Sequence, residues 1–283
     1  MDTRVWLITG SARGMGAHFA RRALAAGDCV AATARNPQAV TDALGTADNL
    51  LAVRLDVTDT ASIAQAVDAV RERFGRIDVL VNNAGYGIFG ALEETTDAET
   101  RAIFDTNVFG TMNVIRAVLP TMRAQGSGRI VNVASMAGYA ADPGGALYDA
   151  TKFAVVGLTE VLAAELAPFG IESMAVCPGM VRTGFFGGES LRAPAHLLPA
   201  YDGSAARGAL EYCQSHDGRQ YGDPAKVADL VYEVATADAP LPTWLPVGKD
   251  AVKKLFEKCD AMKAAVEPYR DRASAIAFPR DAK

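Results

Sequence analysis

The sequence predicts a doubly wound parallel α/β sheet of about seven strands, flanked by helices, in a single domain. Three observations carry this. Short valine- and alanine-rich runs, among them Val5 to Thr9, Val79 to Val81 and Ile130 to Ala134, have the continuous apolar character of strands covered on both faces. Segments of helical period stand between such runs, as parallel neighbours require. The first run passes directly into Gly10-Ser11-Ala12-Arg13-Gly14-Met15-Gly16 and then into a helical pattern. A glycine-rich turn between strand and helix lets the backbone approach a pyrophosphate, whose charge the helix N-terminus favours.

In chain order, Phe19, Ala20, Ala23 and Leu24 share one side of the first helix, and Gly27 is placed to end it. Cys29 to Ala34 forms the second strand, with Arg35 following. Leu50 to Leu55 is the third and closes on Asp56-Val57; Asp56 could cap the next helix, line a ligand pocket, or do both. Ser62 to Phe74 carries Ile63, Val67, Val70 and Phe74 at helical spacing. The fourth strand, Val79 to Val81, leads into Asn82-Asn83-Ala84-Gly85, whose small residues permit close approach and also make an ordinary turn. Thr96-Asp97-Ala98-Glu99 has the form of a capping box and opens a long helix to about Met122, with Asn107 inside it.

Ser135 sits at the carboxyl end of the fifth strand. Gly144 and Gly145 then lead into a helix near Leu147, where Tyr148 and Lys152 are four residues apart and share one face. Ala154, Val155, Leu158, Leu162 and Leu166 make this helix too apolar for a single buried side. Ile171 to Cys177 and Thr243 to Val247 read as the last two strands, and Pro224 to Ala235 and Asp250 to Val266 as helices. Residues 184–222 show no clear period, with Phe185, Phe186, Leu191, Leu197, Leu198 and Tyr201 among glycines and prolines. A long segment of that kind reads as a functional lid or as disorder, and its bulky apolar residues favour the lid. The tail from Glu267 is expected to be flexible or to pack against a neighbour. No repeat and no linker divides the chain, so residues 1–283 are expected to be one domain.

Composition limits the function. The 283 residues are 50% hydrophobic and 22% charged, which is globular and long enough for a sizeable core. A net charge of −5 argues against nucleic acid or an anionic membrane as the main partner. Cys29, Cys177, Cys213 and Cys259 lack the spacing of a zinc site and suit thiols in a reducing compartment. Three histidines, His18, His196 and His216, are too few and too scattered for a local metal motif, and no metal is expected. No apolar run approaches the length of a membrane span, and the N-terminus lacks a signal-like apolar region. These features lead us to expect a soluble cytoplasmic protein.

The chemistry is concentrated at Ser135, Tyr148 and Lys152. A free phenol titrates near ~10, and a general acid or base works best near ambient pH, so a shift of roughly three units needs about 4 kcal/mol. A cation about 4 Å away supplies on the order of 4 kcal/mol at an effective dielectric near 20. Taken alone, Tyr-x-x-x-Lys is short enough to arise by accident. At the end of the second strand a carboxylate would accept from a ribose 2′-hydroxyl, whereas this chain has Ala34-Arg35, with Arg13 inside the glycine turn. Two guanidiniums can flank a phosphate dianion; the bland alternative is two solvated arginines.

Thr9-Gly10-x-x-x-Gly14-x-Gly16, Asn82-Asn83-Ala84-Gly85, Asn107, Ser135, Tyr148-x-x-x-Lys152 and Pro178-Gly179-x-Val181-x-Thr183 occur in the order and at the separations of the short-chain dehydrogenase/reductase family. The resemblance is close over about residues 5 to 183 and looser to near 250. Met15 and Thr151 depart from its frequent isoleucine and serine without removing a needed group. It implies a Rossmann-type fold, with residues 1–180 mainly for cofactor and catalysis, 184–222 as the substrate lid and 250–283 as a C-terminal helix and tail. It implies Ser135, Tyr148, Lys152 and Asn107 as the catalytic set, Asn107 completing a proton route by holding, with its side chain or its main chain, a water that links Lys152 to bulk solvent. Cofactor contacts carried over are Gly10, Ser11, Arg13, Gly14, Met15, Gly16, Arg35, Asp56, Val57, Asn83, Ala84, Gly85, Tyr148, Lys152, Pro178, Gly179, Val181 and Thr183, with NADP(H) implied by the two arginines. The helices bearing Asn107 and Tyr148 form the subunit contact in this family, which implies a homodimer or homotetramer.

The expected reaction interconverts a ketone or aldehyde and an alcohol. Ser135, Tyr148, Phe185 and Phe186 would meet the substrate. Met136, Tyr139 and Pro143 beside a single charge, Asp142, favour a mid-sized hydrophobic or aromatic compound over a sugar or phosphorylated one. An NADP-binding regulator without turnover would not need Ser135, Tyr148 and Lys152 together. An epimerase or dehydratase of the extended relatives usually has another glycine spacing and a larger C-terminal domain. A structural interaction protein explains none of the motifs.

Overall fold

In the computed structural model, residues 3–188 and 190–278 are described; the end of the expected tail, 279–283, lies outside them. Seven strands form one sheet: β1 (Val5–Ile8), β2 (Cys29–Ala34), β3 (Leu50–Arg54), β4 (Val79–Asn82), β6 (Gly128–Val133), β7 (Ile171–Pro178) and β9 (Trp244–Val247). Two short strands, β5 (Gly87–Ile88) and β8 (Leu191–Arg192), pair separately. The large sheet has the order β3-β2-β1-β4-β6-β7-β9, and every pairing in it is parallel. This is the Rossmann-type architecture expected.

The double winding is visible within single strands. Val5 and Leu7 enter one apolar core while Trp6 and Ile8 enter the other, because successive side chains of a strand point to opposite faces. Helices α1 (Gly14–Ala25), α2 (Pro37–Leu44), α3 (Thr60–Phe74), α4 (Asp97–Phe104), α5 (Thr111–Gln125) and α6 (Ala146–Leu166) are followed by α7 (Ala205–Ser215), α8 (Pro224–Thr236), α9 (Lys249–Val266) and a short α10 (Arg270–Ser274). A buried polar chain fixes register at the centre of the sheet. Asn82 Nδ2 donates to Asn132 Oδ1 at 2.9 Å, and Asn132 Nδ2 donates to Thr159 Oγ1 at 3.0 Å.

Four expectations change. The long helix after Thr96 is interrupted by a wide π-type turn over Asp105–Gly110. Tertiary partners cause the break: the Asn107 side chain is bonded to Tyr86, and a side chain at Gly110 would meet Val57 Cγ2 at 2.8 Å. Segment 184–222 is not without structure, since it holds β8 and α7, the latter capped by the Ser204 hydroxyl. Asp59, rather than Asp56, caps α3, and Asp56 instead accepts from Thr58. Helix α2 was not expected, although Asn36 caps it and Pro37 opens it, a recognisable start signal. Among the described residues no helix is long and apolar enough to cross a membrane, and no cluster could hold a metal ion.

Candidate active site

The sheet order reverses between β1 and β4, and in open α/β sheets the crevice at the carboxyl ends of such strands is where ligands bind. Here it is a cavity of about 1660 Å³ running from the glycine turn to Tyr148 and on to α7 and α9. The turn is held from behind. Thr9 Oγ1 accepts from the N–H groups of Asn83 and Ala84, and Asn83 Nδ2 donates to the Thr9 and Gly10 carbonyls at 2.9 and 3.1 Å. Gly10 and Gly14 have φ of 68° and 55°, values that favour glycine. The N-cap of α1, Arg13, makes no side-chain cap, so the first-turn N–H donors are left for a ligand. This donor set fits the diphosphate of a dinucleotide.

Most expected cofactor contacts line the cavity: Gly10, Arg13, Gly14, Met15, Arg35, Asp56, Val57, Asn83, Ala84, Gly85, Tyr148, Lys152, Pro178, Gly179, Val181 and Thr183. Ser11 and Gly16 do not. Ser11 is turned inward, where its hydroxyl donates to the Ile8 carbonyl at 2.7 Å and accepts from Thr33 N. Gly16 serves packing, since any side chain there would strike the Gly10 carbonyl. Arg35 does not face the cavity alone: burial raises the Asp56 carboxyl, but the Thr58 hydrogen bonds and the Arg35 and Arg54 charges outweigh it and hold Asp56 below its ordinary value.

Ser135 stands just beyond β6 and caps a short turn by accepting from Ala137 N at 3.2 Å. Tyr148 and Lys152 project from the first turns of α6, and Lys152 Nζ lies 5.6 Å from the centre of the tyrosine ring. Nζ donates to the Val133 carbonyl at 2.8 Å. Burial works against the acidified phenol expected from this pairing. Burial pushes the Tyr148 phenol above its ordinary value, with the Ser135 hydroxyl pulling the other way and the neighbouring Asp149 and cysteines adding to the rise. Burial also lowers Lys152 to about 8, with Cys177 opposing. Desolvation disfavours the charged form of both groups.

Asn107 is buried beside them, but its amide is committed. Nδ2 donates to the Tyr86 carbonyl at 2.8 Å and to Thr151 Oγ1 at 3.0 Å, and Oδ1 accepts from Tyr86 N at 3.1 Å. Both amide hydrogens are thus used, so a water would be held by an oxygen of Asn107: Oδ1, which accepts one bond and has a second lone pair, or the main-chain carbonyl, which accepts from Thr111 Oγ1. Thr151 keeps the hydroxyl of the serine it replaces and donates to the Tyr148 carbonyl at 2.7 Å, tying Asn107 to the helix that carries the phenol.

Aromatic rings surround the phenol. Tyr148 lies 5.5 Å from Phe89 and 5.6 Å from Phe185, and Phe185 touches Phe186 at 6.4 Å. Ala205, Ala209, Tyr212 and Cys213 of α7 line the same space at helical spacing. Met136 and Pro143 line it as expected, but Tyr139 does not: it is stacked on Trp244 at 5.9 Å and its hydroxyl donates to the Ala251 carbonyl. Helix α7 is anchored by a buried ion pair, Arg207 Nη2 to Glu94 Oε1 at 2.5 Å, and the same oxygen accepts from Leu198 N. Those contacts hold Glu94 below its ordinary value, the Leu198 hydrogen bond first.

Several lining residues were invisible in the sequence. Asp250 reaches in from α9 and accepts from Met180 N at 2.8 Å, setting the 178–183 segment from 70 residues away. Ser190 and Arg192 come from the 184–222 segment. Phe89 alone had a local signal, the aromatic pair Tyr86 and Phe89 after Gly85.

Residues 4–192 match the family described as short chain dehydrogenase. The chain belongs to the short-chain dehydrogenase/reductase family. Oxidoreductase BOA17 of Botryotinia fuckeliana is 38% identical over 278 residues, covering 97% of this chain and 100% of that protein. A short-chain dehydrogenase from Streptomyces avermitilis superposes with a TM-score of 0.89 at 38% identity, over 98% of this chain and 100% of that one. ElxO with NADP bound matches at a TM-score of 0.73 and 29% identity, covering 89% and 100% of the two chains. A family member from Burkholderia phymatum in complex with NAD matches at 0.75 and 28% identity, covering 100% and 98%. This chain is thus an oxidoreductase with the family's fold.

Proposed function

We propose that the chain is an NADP(H)-dependent ketoreductase or alcohol dehydrogenase acting on a mid-sized hydrophobic or aromatic carbonyl compound. One observation carries the reading: Ser135, Tyr148 and Lys152 open into the same cavity as the glycine turn, under a wall of Phe89, Phe185 and Phe186. When bound, a nicotinamide dinucleotide supplies or accepts the hydride. Relatives hold NADP in one case and NAD in another, and the preference for NADP rests on Arg13 and Arg35 lining the cavity with no acidic residue directly after β2. The likeness of the glycine turn and of Pro178-Gly179-x-Val181-x-Thr183 supports the nicotinamide cofactor itself.

In the reductive direction Tyr148 donates its proton to the substrate oxygen. A phenol held above its ordinary value is fully protonated at neutral pH, which suits a donor. Ser135 holds that oxygen by a hydrogen bond as negative charge develops. Lys152, fixed by Val133, places a positive charge behind the phenol and would hold the ribose hydroxyls. Asn107 positions Tyr148 through Thr151. The apolar wall excludes water from the reacting carbon.

The direct test is a panel of ketones, aldehydes and alcohols assayed with NADPH and NADH in parallel. The reading expects turnover on aromatic or aliphatic carbonyls with NADPH favoured. Dinucleotide binding without turnover across the panel would instead support a nucleotide-sensing regulator, and conversion without net cofactor oxidation an epimerase or dehydratase. A pH profile adds to it. Lys152 is an ammonium below its value of about 8 and neutral above it, so kcat/KM for reduction is expected to be flat at neutral pH and to fall as pH rises through about 8; a flat profile to about pH 10 would remove the lysine charge from the mechanism.

A homodimer or homotetramer is part of the same proposal. It is supported by Phe109 beside α5 and Phe153 and Val161 on α6, large apolar side chains left exposed on the two helices expected to meet a second subunit.

A further inference from the structure

The segment expected to cover the substrate begins by crossing somewhere else. Leu191 and Arg192 pair in parallel with Gly87 and Ile88, just past the Asn83-Ala84-Gly85 loop. Gly87 N donates to the Ser190 carbonyl at 2.7 Å and Phe89 N to the Arg192 carbonyl at 3.0 Å. On its other side, Ser190 Oγ accepts from Arg13 Nη2 at 3.1 Å. Residues 190–192 therefore span the cavity from the loop after β4 to the glycine turn after β1. Side chains alternate along this strap as on any strand. Leu191 is buried with Leu210 and Cys213 of α7, whereas Ser190 and Arg192 line the cavity.

Arg192 is placed as a ligand-binding cation. Its guanidinium lies over the Tyr86 ring, 4.7 Å from the centroid, an arrangement that orients the planar fork. No carboxylate comes within ion-pair distance of it among the described residues; Asp105 and Glu99 are near enough to act electrostatically on Tyr86, but neither bonds to Arg192. Tyr86 is itself locked, both its N–H and its carbonyl being bonded to Asn107. Arg192 lines the cavity two residues along the strap from Ser190, whose hydroxyl meets Arg13 of the glycine turn. Arg13 and Arg35 stand at the ends of β1 and β2.

We propose that residues 190–192 form a cofactor clasp, in which Arg192 binds the diphosphate that joins the two halves of the dinucleotide and Ser190 holds Arg13 at the adenosine end. This rests on the reading that the cavity holds a nicotinamide dinucleotide. It gives the three arginines separate tasks. Arg13 and Arg35 discriminate at the adenosine 2′-position, and Arg192 serves NAD and NADP alike.

The test is a fluorescence titration of wild type, Arg192→Gln and Arg192→Lys with NADPH and with NADH, together with adenosine 2′,5′-bisphosphate, which lacks the diphosphate bridge. Arg192→Gln is expected to weaken both dinucleotides by about 10- to 100-fold, the range for losing a hydrogen bond to a charged group. The bisphosphate should change by less than about twofold, and Arg192→Lys should recover part of the loss, since a charge remains without the planar fork. Unchanged dinucleotide affinity in a variant that melts like wild type overturns the clasp. So does a loss confined to NADPH, which would move Arg192 to the 2′-phosphate, or a raised carbonyl KM with dinucleotide affinity intact, which would move it to the substrate. Failure of wild type to bind either dinucleotide would sink the proposed function as well, whereas equal binding by wild type and Arg192→Gln sinks only the clasp.

Discussion

Tyr148→Phe is expected to lower turnover on any confirmed carbonyl by about 10²- to 10⁴-fold, the usual contribution of a positioned general acid, while dinucleotide affinity stays within about twofold of wild type. The substitution removes one oxygen and little else. The phenyl ring keeps its packing against Phe89 and Phe185, and the helix hydrogen bonds of α6, including Thr151 to the Tyr148 carbonyl, do not involve the hydroxyl. A loss of this size in kcat, with binding and thermal stability kept, isolates proton donation from cofactor capture. Wild-type turnover in the variant would remove the phenol from the mechanism.

The second large effect is expected at Arg207, far from the reacting atoms. Arg207→Ala leaves the Glu94 carboxylate in a site where it is almost wholly buried, with the Leu198 and Ala91 N–H groups as its remaining partners among the described residues. A buried carboxylate that loses its cation is strongly destabilised, so the segment around it is expected to loosen. Helix α7 carries Ala209, Tyr212 and Cys213 into the cavity, and a displacement of about 1 Å in a positioning wall can cost on the order of 100-fold in rate. The carbonyl KM should rise by at least roughly tenfold, with Glu94→Gln milder because it keeps an acceptor for Leu198 N and leaves Arg207 with Asp202 at 3.7 Å. Steady-state kinetics of both variants check this. An unchanged KM in Arg207→Ala would mean that α7 does not shape the substrate site.

What the chain discloses in advance is local. Strands such as β1 and β4 are continuous apolar runs because both faces are covered, and Tyr148 and Lys152 meet because helical neighbours four apart must. The glycine turn is legible for the same reason: a left-handed φ at Gly10 and Gly14 restricts the residue type. What stays hidden depends on partners distant in sequence. Ser190 meets Arg13 across 177 residues, and β5 and β8, at two residues each, are too short to show a period. The π-type turn at Asn107 follows from bonds to Tyr86 that no helix propensity encodes. The phenol shows the limit most clearly. Pair spacing argues for a depressed pKa, but the sign is decided by burial, a property of the folded site.

The most direct measurement of the central claim uses reduced cofactor carrying deuterium at both C4 positions, incubated with wild type and a carbonyl compound from the panel. Hydride transfer within this cavity predicts one deuterium on the former carbonyl carbon of the alcohol product, formed in step with cofactor oxidation. An alcohol product without that deuterium, or a tightly held cofactor that is never oxidised across the panel, would contradict it.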